Sequence, residues 1–234
     1  MSVRKVHSNG RTVVGYINSK KSEQEVQFES LLEKEFLFIL QFDSNVISIQ
    51  DQPVRIPFTL RGEERTYVPD FLVKYKDGKT VLFEVKYEMD LQTNSRKYAA
   101  RFKAGKIFAS SQGFLFRVIT DKQIRTQYKE NLKYLLLFRN SSAELEHQHT
   151  ILNLLREYKQ LSFLQLIDLI GDCSETQRAL IRPFWTLLWN QVITADMFAP
   201  LTMQSKVWVV GEHHPAVQLS FPYHKVPKIK SPKV

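Results

Sequence analysis

The sequence predicts an α/β domain with a mixed sheet flanked by helices, followed by a small helical domain. Alternating apolar and polar residues typical of strands lie between residues 46 and 120, interrupted by one long basic helical segment. Beyond residue 140 the pattern changes to three helical segments. The length of 234 residues exceeds one typical domain of ~100–200 residues. We therefore place the first domain at 1–140, the second at 141–224 and a basic flexible tail at 225–234.

The elements of the first domain follow from caps, alternation and turn residues. Ser22 and Glu25 form a capping-box pattern, which predicts a helix over residues 23–41. A strong hairpin signal, Lys-Asp-Gly-Lys, occupies residues 76–79. The further predicted elements are strands at 46–50, 55–60, 67–75, 80–87 and 113–120 and helices at 94–110 and 121–139.

The second domain is predicted to contain helices at 144–158, 162–171 and 174–191 and short strands at 192–195 and 206–210. Three helices with a hairpin are typical of a winged helix. The third helix carries Phe184, Trp185, Leu188 and Trp189 at helical spacing. So much aromatic surface favours a core or a protein-docking face, and we rank partner binding ahead of reading a DNA groove.

Composition limits the possible partners and compartment. The net charge is +9, and residues 96–139 contain eleven Lys or Arg against two acids. This excess favours a polyanionic partner, although a solvated helix face is the alternative. The single cysteine, Cys173, excludes an intramolecular disulfide, and no apolar run approaches the ~20 residues that cross a bilayer. We expect a cytoplasmic protein without a membrane partner.

Three polar residues interrupt two otherwise apolar strands: Asp70, and then Glu84 and Lys86 with Val85 between them. Hydrolysis of a phosphodiester needs a hard cation held by oxygen ligands, an activated water and positive charge near the phosphate. Two carboxylates and a lysine on adjacent strands supply these parts. The alternative is a cross-strand ion pair on a solvated sheet face.

Loop length decides whether Asp70 and Glu84 share a face of the sheet, because side chains alternate along a strand. A two-residue turn at Asp77-Gly78 would place Asp70 opposite Val85 and point it away from Glu84. A three-residue loop, with Gly78 in the left-handed conformation, sets Asp70 opposite Glu84. We predict the three-residue loop or an equivalent bulge.

Asp70, Glu84 and Lys86, with a helix before them and a basic helix after them, resemble the PD-(D/E)xK motif of restriction-endonuclease-like enzymes. Further segments resemble TnsA, the endonuclease subunit of heteromeric cut-and-paste transposases, over most of residues 20–140. These segments are Ser-Leu-Leu-Glu at 30–33, Phe-Asp at 42–43, Asn-Val-Ile at 45–47, Gln-Pro at 52–53, Asp-Phe-Leu-Val at 70–73, Ile-Thr-Asp-Lys at 119–122 and Glu-Asn at 130–131.

The resemblance implies a metal-dependent DNA endonuclease with a fourth catalytic residue, Glu33, on the first helix. Glu29 is the competitor, one predicted turn earlier on the same face. Asp70 and Glu84 would hold Mg²⁺, for which Mn²⁺ would substitute, with the Val85 carbonyl as a further ligand. Glu33 would bind a second ion directly or through water, and Lys86 would orient the attacking water. The expected DNA contacts come from the basic helix, through Arg96, Lys97, Arg101, Lys103 and Lys106.

By the same resemblance, the substrate is double-stranded DNA at transposon ends, cleaved at the 5′ end of the non-transferred strand. The implied partners are a DDE transposase, TnsB, an AAA+ ATPase regulator, TnsC, and in some elements an RNA-guided targeting complex. Two alternatives stay open: an autonomous restriction or repair nuclease with the same metal site, and a non-catalytic DNA-binding scaffold in which Asp70 and Glu84 are a salt-bridged remnant.

Overall fold

The computed structural model describes residues 13–139, 145–170 and 174–212. The chain divides into two compact units, and the division falls between Ile124 and Arg125. The predicted tail at 225–234 and Cys173 lie outside the described residues. Within the described ranges, no helix is long and apolar enough to cross a membrane.

The first unit is α/β, as predicted. A four-stranded sheet has the order β3-β6-β7-β8, in which β7 and β8 run parallel and the other neighbours antiparallel. The strands of the unit are β1 (Gly15–Ile17), β2 (Val26–Phe28), β3 (Val46–Asp51), β4 (Ile56–Leu60), β5 (Glu63–Tyr67), β6 (Phe71–Tyr75), β7 (Thr80–Lys86) and β8 (Leu115–Thr120). Its helices are α1 (Leu31–Phe42), α2 (Glu88–Thr93), α3 (Ser95–Ser111) and α4 (Asp121–Ile124). The mixed sheet flanked by helices is consistent with a restriction-endonuclease-like fold.

Helices α1 and α3 each contribute an aromatic side chain to the core around the sheet. Phe36 of α1 packs edge-on against Phe83 of β7, with ring centroids 5.0 Å apart. Phe102 of α3 contacts Phe116 of β8, with ring centroids 6.0 Å apart. Burial of such aromatic surface is the dominant stabilising contribution of a sheet and helix layer.

The first helix begins later than predicted. Residues 26–28 form β2, which pairs antiparallel with β1, and α1 starts only after Ser30. The Ser30 hydroxyl accepts a hydrogen bond from the Glu33 N–H at 3.1 Å, so the working capping box is Ser30 with Glu33. The Ser22 and Glu25 pattern has the same spacing, but residues 26–28, which would form the first turns of that helix, pair with β1 as a strand instead.

The predicted strand at 67–75 is broken. Tyr67 ends β5, which pairs with β4 through a turn at Arg61 and Gly62, both with positive φ (54° and 80°). This is the conformation of a two-residue type I′ hairpin. Residues 68–70 are not part of a strand and connect β5 to β6. This break agrees with the presence of Pro69, because proline has no N–H to donate to a neighbouring strand.

The second unit contains the rest of the described elements. They are α5 (Gln127–Leu135), a short 3-10 turn (Leu136–Phe138), α6 (Leu145–Tyr158), β9 (Leu161–Ser162), α7 (Phe163–Ile170), α8 (Ser174–Trp189), β10 (Ile193–Ala195) and β11 (Lys206–Val209). The three strands form an antiparallel sheet of order β10-β11-β9. The winged-helix assignment stays a prediction.

One predicted helix and one predicted apolar face can be compared with the structure here. The predicted helix at 121–139 is two helices, and α5 packs on α8, with the Tyr134 and Trp185 ring centroids 5.1 Å apart. Phe184, Trp185 and Leu188 are at most 2% exposed. These three side chains therefore belong to the core of the unit, which is one of the two interpretations that the sequence favoured, whereas Trp189 is half-buried. Partner binding by this unit stays a prediction.

Candidate active site

The hairpin of β6 and β7 has the predicted three-residue loop. Phe71 lies opposite Phe83, and the Tyr75 N–H donates to the Lys79 carbonyl at 2.9 Å. Gly78 has a φ of +81°, the left-handed conformation that this loop requires. The register that brings Asp70 to the Glu84 position of β7 is confirmed.

Asp70 is fixed to β7 by its side chain as well as its backbone. Its N–H donates to the Phe83 carbonyl at 3.1 Å, and its Oδ2 accepts the Val85 N–H at 2.6 Å. A backbone donor at this distance is a strong charge-assisted partner for a carboxylate. Asp70 therefore keeps a defined position although it lies outside the strand itself.

The ammonium of Lys86 lies where three oxygens converge. Its Nζ is 2.8 Å from Glu84 Oε1, 2.9 Å from the Val85 carbonyl oxygen and 3.4 Å from Asp70 Oδ2. Burial alone would lower the pKa of Lys86, but the charges of Asp70 and Glu84 raise it by a larger amount. The pKa of Lys86 therefore lies well above its ordinary value. Lys86 is therefore charged at neutral pH and acts as the internal counter-cation of both carboxylates.

Glu84 is the most deeply buried of the three, with 3% of its surface exposed. Burial, and then the charge of Asp70, raises the pKa of Glu84 to about 7, while Lys86 and Tyr67 oppose the shift. The Tyr67 hydroxyl donates to Glu84 Oε2 at 2.6 Å. Tyr67 was not predicted as a site residue, because nothing in the neighbouring sequence indicates that a tyrosine at the end of a strand contacts a residue 17 positions away.

Glu33 lies at the start of α1. Burial, and then the charge of Asp70, raises the pKa of Glu33 to about 7, and Lys86 opposes this shift. The Glu33 carboxylate accepts hydrogen bonds from the Glu29 N–H at 2.6 Å and the Ser30 hydroxyl at 2.9 Å. The Glu33 carboxylate therefore hydrogen-bonds to the residues at the start of α1 and also interacts electrostatically with Asp70 and Lys86.

Glu29, the competing candidate, is not on the helix. It precedes Ser30, the N-cap residue, and its carboxylate accepts a hydrogen bond from the Gln52 side-chain amide. The expected position one helical turn before Glu33 was therefore wrong. Glu33 is the candidate whose charge interacts with Asp70 and Lys86.

The oxygen atoms around Lys86 are of the kind that Mg²⁺ binds. Carboxylates and a backbone carbonyl are hard ligands, and an ammonium held by three of them stands in for a small cation. Among residues 13–139, 145–170 and 174–212, no group of three or more His, Cys, Asp or Glu side chains is already arranged to hold a metal. The donor types fit Mg²⁺, and a metal ion placed at this point would require the ammonium to move aside.

The predicted DNA-contacting residues lie on α3. Arg96 and Lys103 are exposed, Arg101 and Lys106 are half-buried, and the side chain of Lys97 lies outside the described part of the structure. Arg101 is close enough to the site for its charge to lower the pKa of Tyr67, although burial and Glu84 raise that pKa overall.

Helix α3 approaches the sheet closely at Gly105. A Cβ there would lie 2.6 Å from the Phe116 ring and 3.0 Å from the Tyr67 ring. Glycine is therefore needed for this helix to pack beside the residue that contacts Glu84.

Comparison with known families concerns this same region. Residues 43–121 match the TnsA-like endonuclease N-terminal family. The TnsA-like segment contains Asp70, Glu84 and Lys86, whereas Glu33 precedes it and the second unit follows it. No curated protein matches the chain. The resemblance predicted from the sequence is confirmed for this segment, about a third of the chain, and it supports a transposition-associated nuclease.

Proposed function

We propose that this protein is the metal-dependent endonuclease subunit of a cut-and-paste transposase, which hydrolyses the 5′ end of the non-transferred strand at transposon ends. The observation that carries the proposal lies within the TnsA-like segment. Asp70 Oδ2, Glu84 Oε1 and the Val85 carbonyl oxygen all converge on the ammonium of Lys86. A plain surface ion pair has no need of a third oxygen or of a buried carboxylate.

Asp70, Glu84 and the Val85 carbonyl would hold Mg²⁺, and Mn²⁺ would substitute. When bound, the metal would supply Lewis-acid chemistry at the phosphate and would lower the pKa of water in the site. Lys86 would orient the attacking water and offset the charge that develops on the phosphate. Glu33 would bind a second ion directly or through water.

Arg96, Lys97, Arg101, Lys103 and Lys106 on α3 would contact phosphates of duplex DNA. Such contacts position the DNA without reading its sequence. Choice of the transposon end would then rest on the partners that the family resemblance implies: the DDE transposase TnsB, which cuts the other strand, the ATPase TnsC and, in some elements, an RNA-guided complex.

The test is cleavage of a plasmid carrying the transposon ends, with Mg²⁺ or Mn²⁺, with and without the transposase and ATPase. We expect metal-dependent cuts at the 5′ strand ends that require the partners and fall more than ~100-fold in Asp70→Asn. Asp77→Asn is the matched control, because Asp77 lies in the loop of the same hairpin and its carboxylate forms an exposed ion pair with Lys79.

The outcomes separate the proposal from its alternatives. Strong cutting by the protein alone at other sequences would indicate an autonomous restriction or repair nuclease. Absence of cutting with all partners and either metal would indicate a non-catalytic scaffold. Full activity of Asp70→Asn would refute the assigned site.

A further inference from the structure

Tyr67 closes the side of the site that faces α3. Its ring is 4% exposed and belongs to a hydrophobic cluster of the first unit that includes Leu82, Phe102 and Phe116. The chain leaves β5 directly after Tyr67, so the residue ends a strand rather than lying on a mobile loop. The ring therefore has little freedom to rotate or shift.

The hydroxyl of this fixed ring hydrogen-bonds to one carboxylate oxygen of Glu84, and the Lys86 ammonium forms an ion pair with the other oxygen. Tyr67 donates to Oε2 at 2.6 Å, and the Lys86 ammonium is 2.8 Å from Oε1. A carboxylate held at both oxygens cannot turn about its terminal bond, which is otherwise a soft torsion. The oxygen that Tyr67 leaves available is the one directed to the point where Asp70 and Val85 also contribute oxygens.

We propose that Tyr67 is a positioning residue for the metal site: its hydroxyl holds Glu84 Oε2 and thereby directs Oε1 to the shared cation position. This inference rests on the proposed endonuclease function. A phenylalanine would fill the same space in the core, so the hydroxyl has a role separate from packing. Groups that orient metal ligands in this way typically change metal affinity or activity ~10–100-fold when they are removed.

The first measurement is Mn²⁺ affinity of the full-length protein by electron paramagnetic resonance of free Mn²⁺. We expect Tyr67→Phe to bind Mn²⁺ at least ~10-fold more weakly than the wild type. Tyr98→Phe is the matched control, because Tyr98 lies in the same cluster and its hydroxyl donates to Asp90 at 2.8 Å instead. The control should bind Mn²⁺ as the wild type does.

A double-mutant cycle separates positioning from general damage to the fold. If Tyr67 acts through Glu84, adding Tyr67→Phe to Glu84→Gln weakens Mn²⁺ binding no further, because the carboxylate that the hydroxyl orients is already gone. A loss from packing alone would be the same in both backgrounds, and that result would overturn the proposal. In the cleavage assay, we expect Tyr67→Phe to lower kcat at saturating metal and leave the KM for DNA unchanged.

Failure of this inference is distinguishable from failure of the proposed function. If the wild type binds Mn²⁺ and cleaves DNA while Tyr67→Phe matches it in both assays, Tyr67 is not a positioning residue and the endonuclease proposal stands. If the wild type binds no Mn²⁺ and cleaves nothing with its partners, the endonuclease proposal falls, and the inference about Tyr67 falls with it.

Discussion

The backbone N–H of Val85 donates to the Asp70 carboxylate at 2.6 Å. This hydrogen bond holds Asp70 beside β7 without any metal. The donor lies between Glu84 and Lys86 in β7, so Asp70 is held next to both. Replacement of Asp70 has a structural effect as well as a chemical one, and the choice of substitution separates the two.

Asp70→Ala should destabilise the protein by ~1–3 kcal/mol, because the Val85 N–H loses its acceptor in a buried position. Asp70→Asn keeps an oxygen that accepts from this N–H, so its free energy of unfolding should stay closer to that of the wild type. Both variants should lose cleavage. Urea unfolding of the metal-free proteins measures the difference, and equal stabilities of the two variants would contradict it.

Lys86→Met should destabilise the metal-free protein by about 3–5 kcal/mol, because Asp70 and Glu84 are left facing each other without a counter-charge. Mg²⁺ should then raise the melting temperature of the variant more than that of the wild type, because no ammonium competes for the oxygens. Cleavage should still be lost. Lys79→Met, which breaks the exposed pair with Asp77, is the control.

The metal-free protein should become less stable as pH rises from about 5 to 8. Burial, and then Asp70, raises the pKa of Glu84 from 4.5 to about 7, so the folded state binds this proton more tightly than the unfolded chain. The resulting stability is fully present below pH 4.5 and is lost as pH passes through about 7. The drop in Tm between about pH 5 and pH 8, measured in EDTA, should be smaller in Glu84→Gln than in the wild type by on the order of a few degrees. Parallel curves for the two proteins would contradict the assignment.

Gly105→Ala should destabilise the protein by ~1–3 kcal/mol despite the better helix propensity of alanine, because the new methyl group meets the Phe116 and Tyr67 rings. It should also weaken Mn²⁺ binding, since the ring that contacts Glu84 is displaced. Thermal unfolding and Mn²⁺ titration measure the two effects. Lys103→Ala, on the exposed side of α3, should show neither.

Arg96→Ala and Lys103→Ala should weaken binding of duplex DNA uniformly across sequences and lower the slope of log K against log salt by about 1 each. Both side chains are exposed on α3. Binding measured over a salt series tests this expectation. Lys74→Ala, on the exposed face of β6, is the control with a comparable charge change, and an equal effect there would indicate nonspecific charge attraction.

The fold class and the register of the hairpin that carries the candidate site could be predicted from the sequence. The alternation of β7 places Glu84 and Lys86 on one face, and counting around Asp77-Gly78 left two registers, of which the predicted three-residue loop is the one that the structure has. The α/β class and the position of β8 followed similarly from apolar patterns. These features depend on residues that are close in sequence.

The sequence did not predict features that depend on distant contacts. Two Ser-x-x-Glu patterns compete for the start of α1, and the pairing of β2 with β1 decides between them. The contact of Tyr67 with Glu84 depends on a turn at Arg61 and Gly62 that ends β5 where it does. Neither choice can be made from the spacing of residues along the chain.

The three-residue loop that ends at Gly78 limits how this hairpin can change length during evolution or in the laboratory. Deleting one loop residue would turn every side chain of one strand to the opposite face, and would separate Asp70 from Glu84 without altering either. Gains or losses of two residues preserve the pairing. Related chains that keep the chemistry should therefore differ here by even numbers of residues, and a single-residue deletion would inactivate the site while leaving all its catalytic side chains in place.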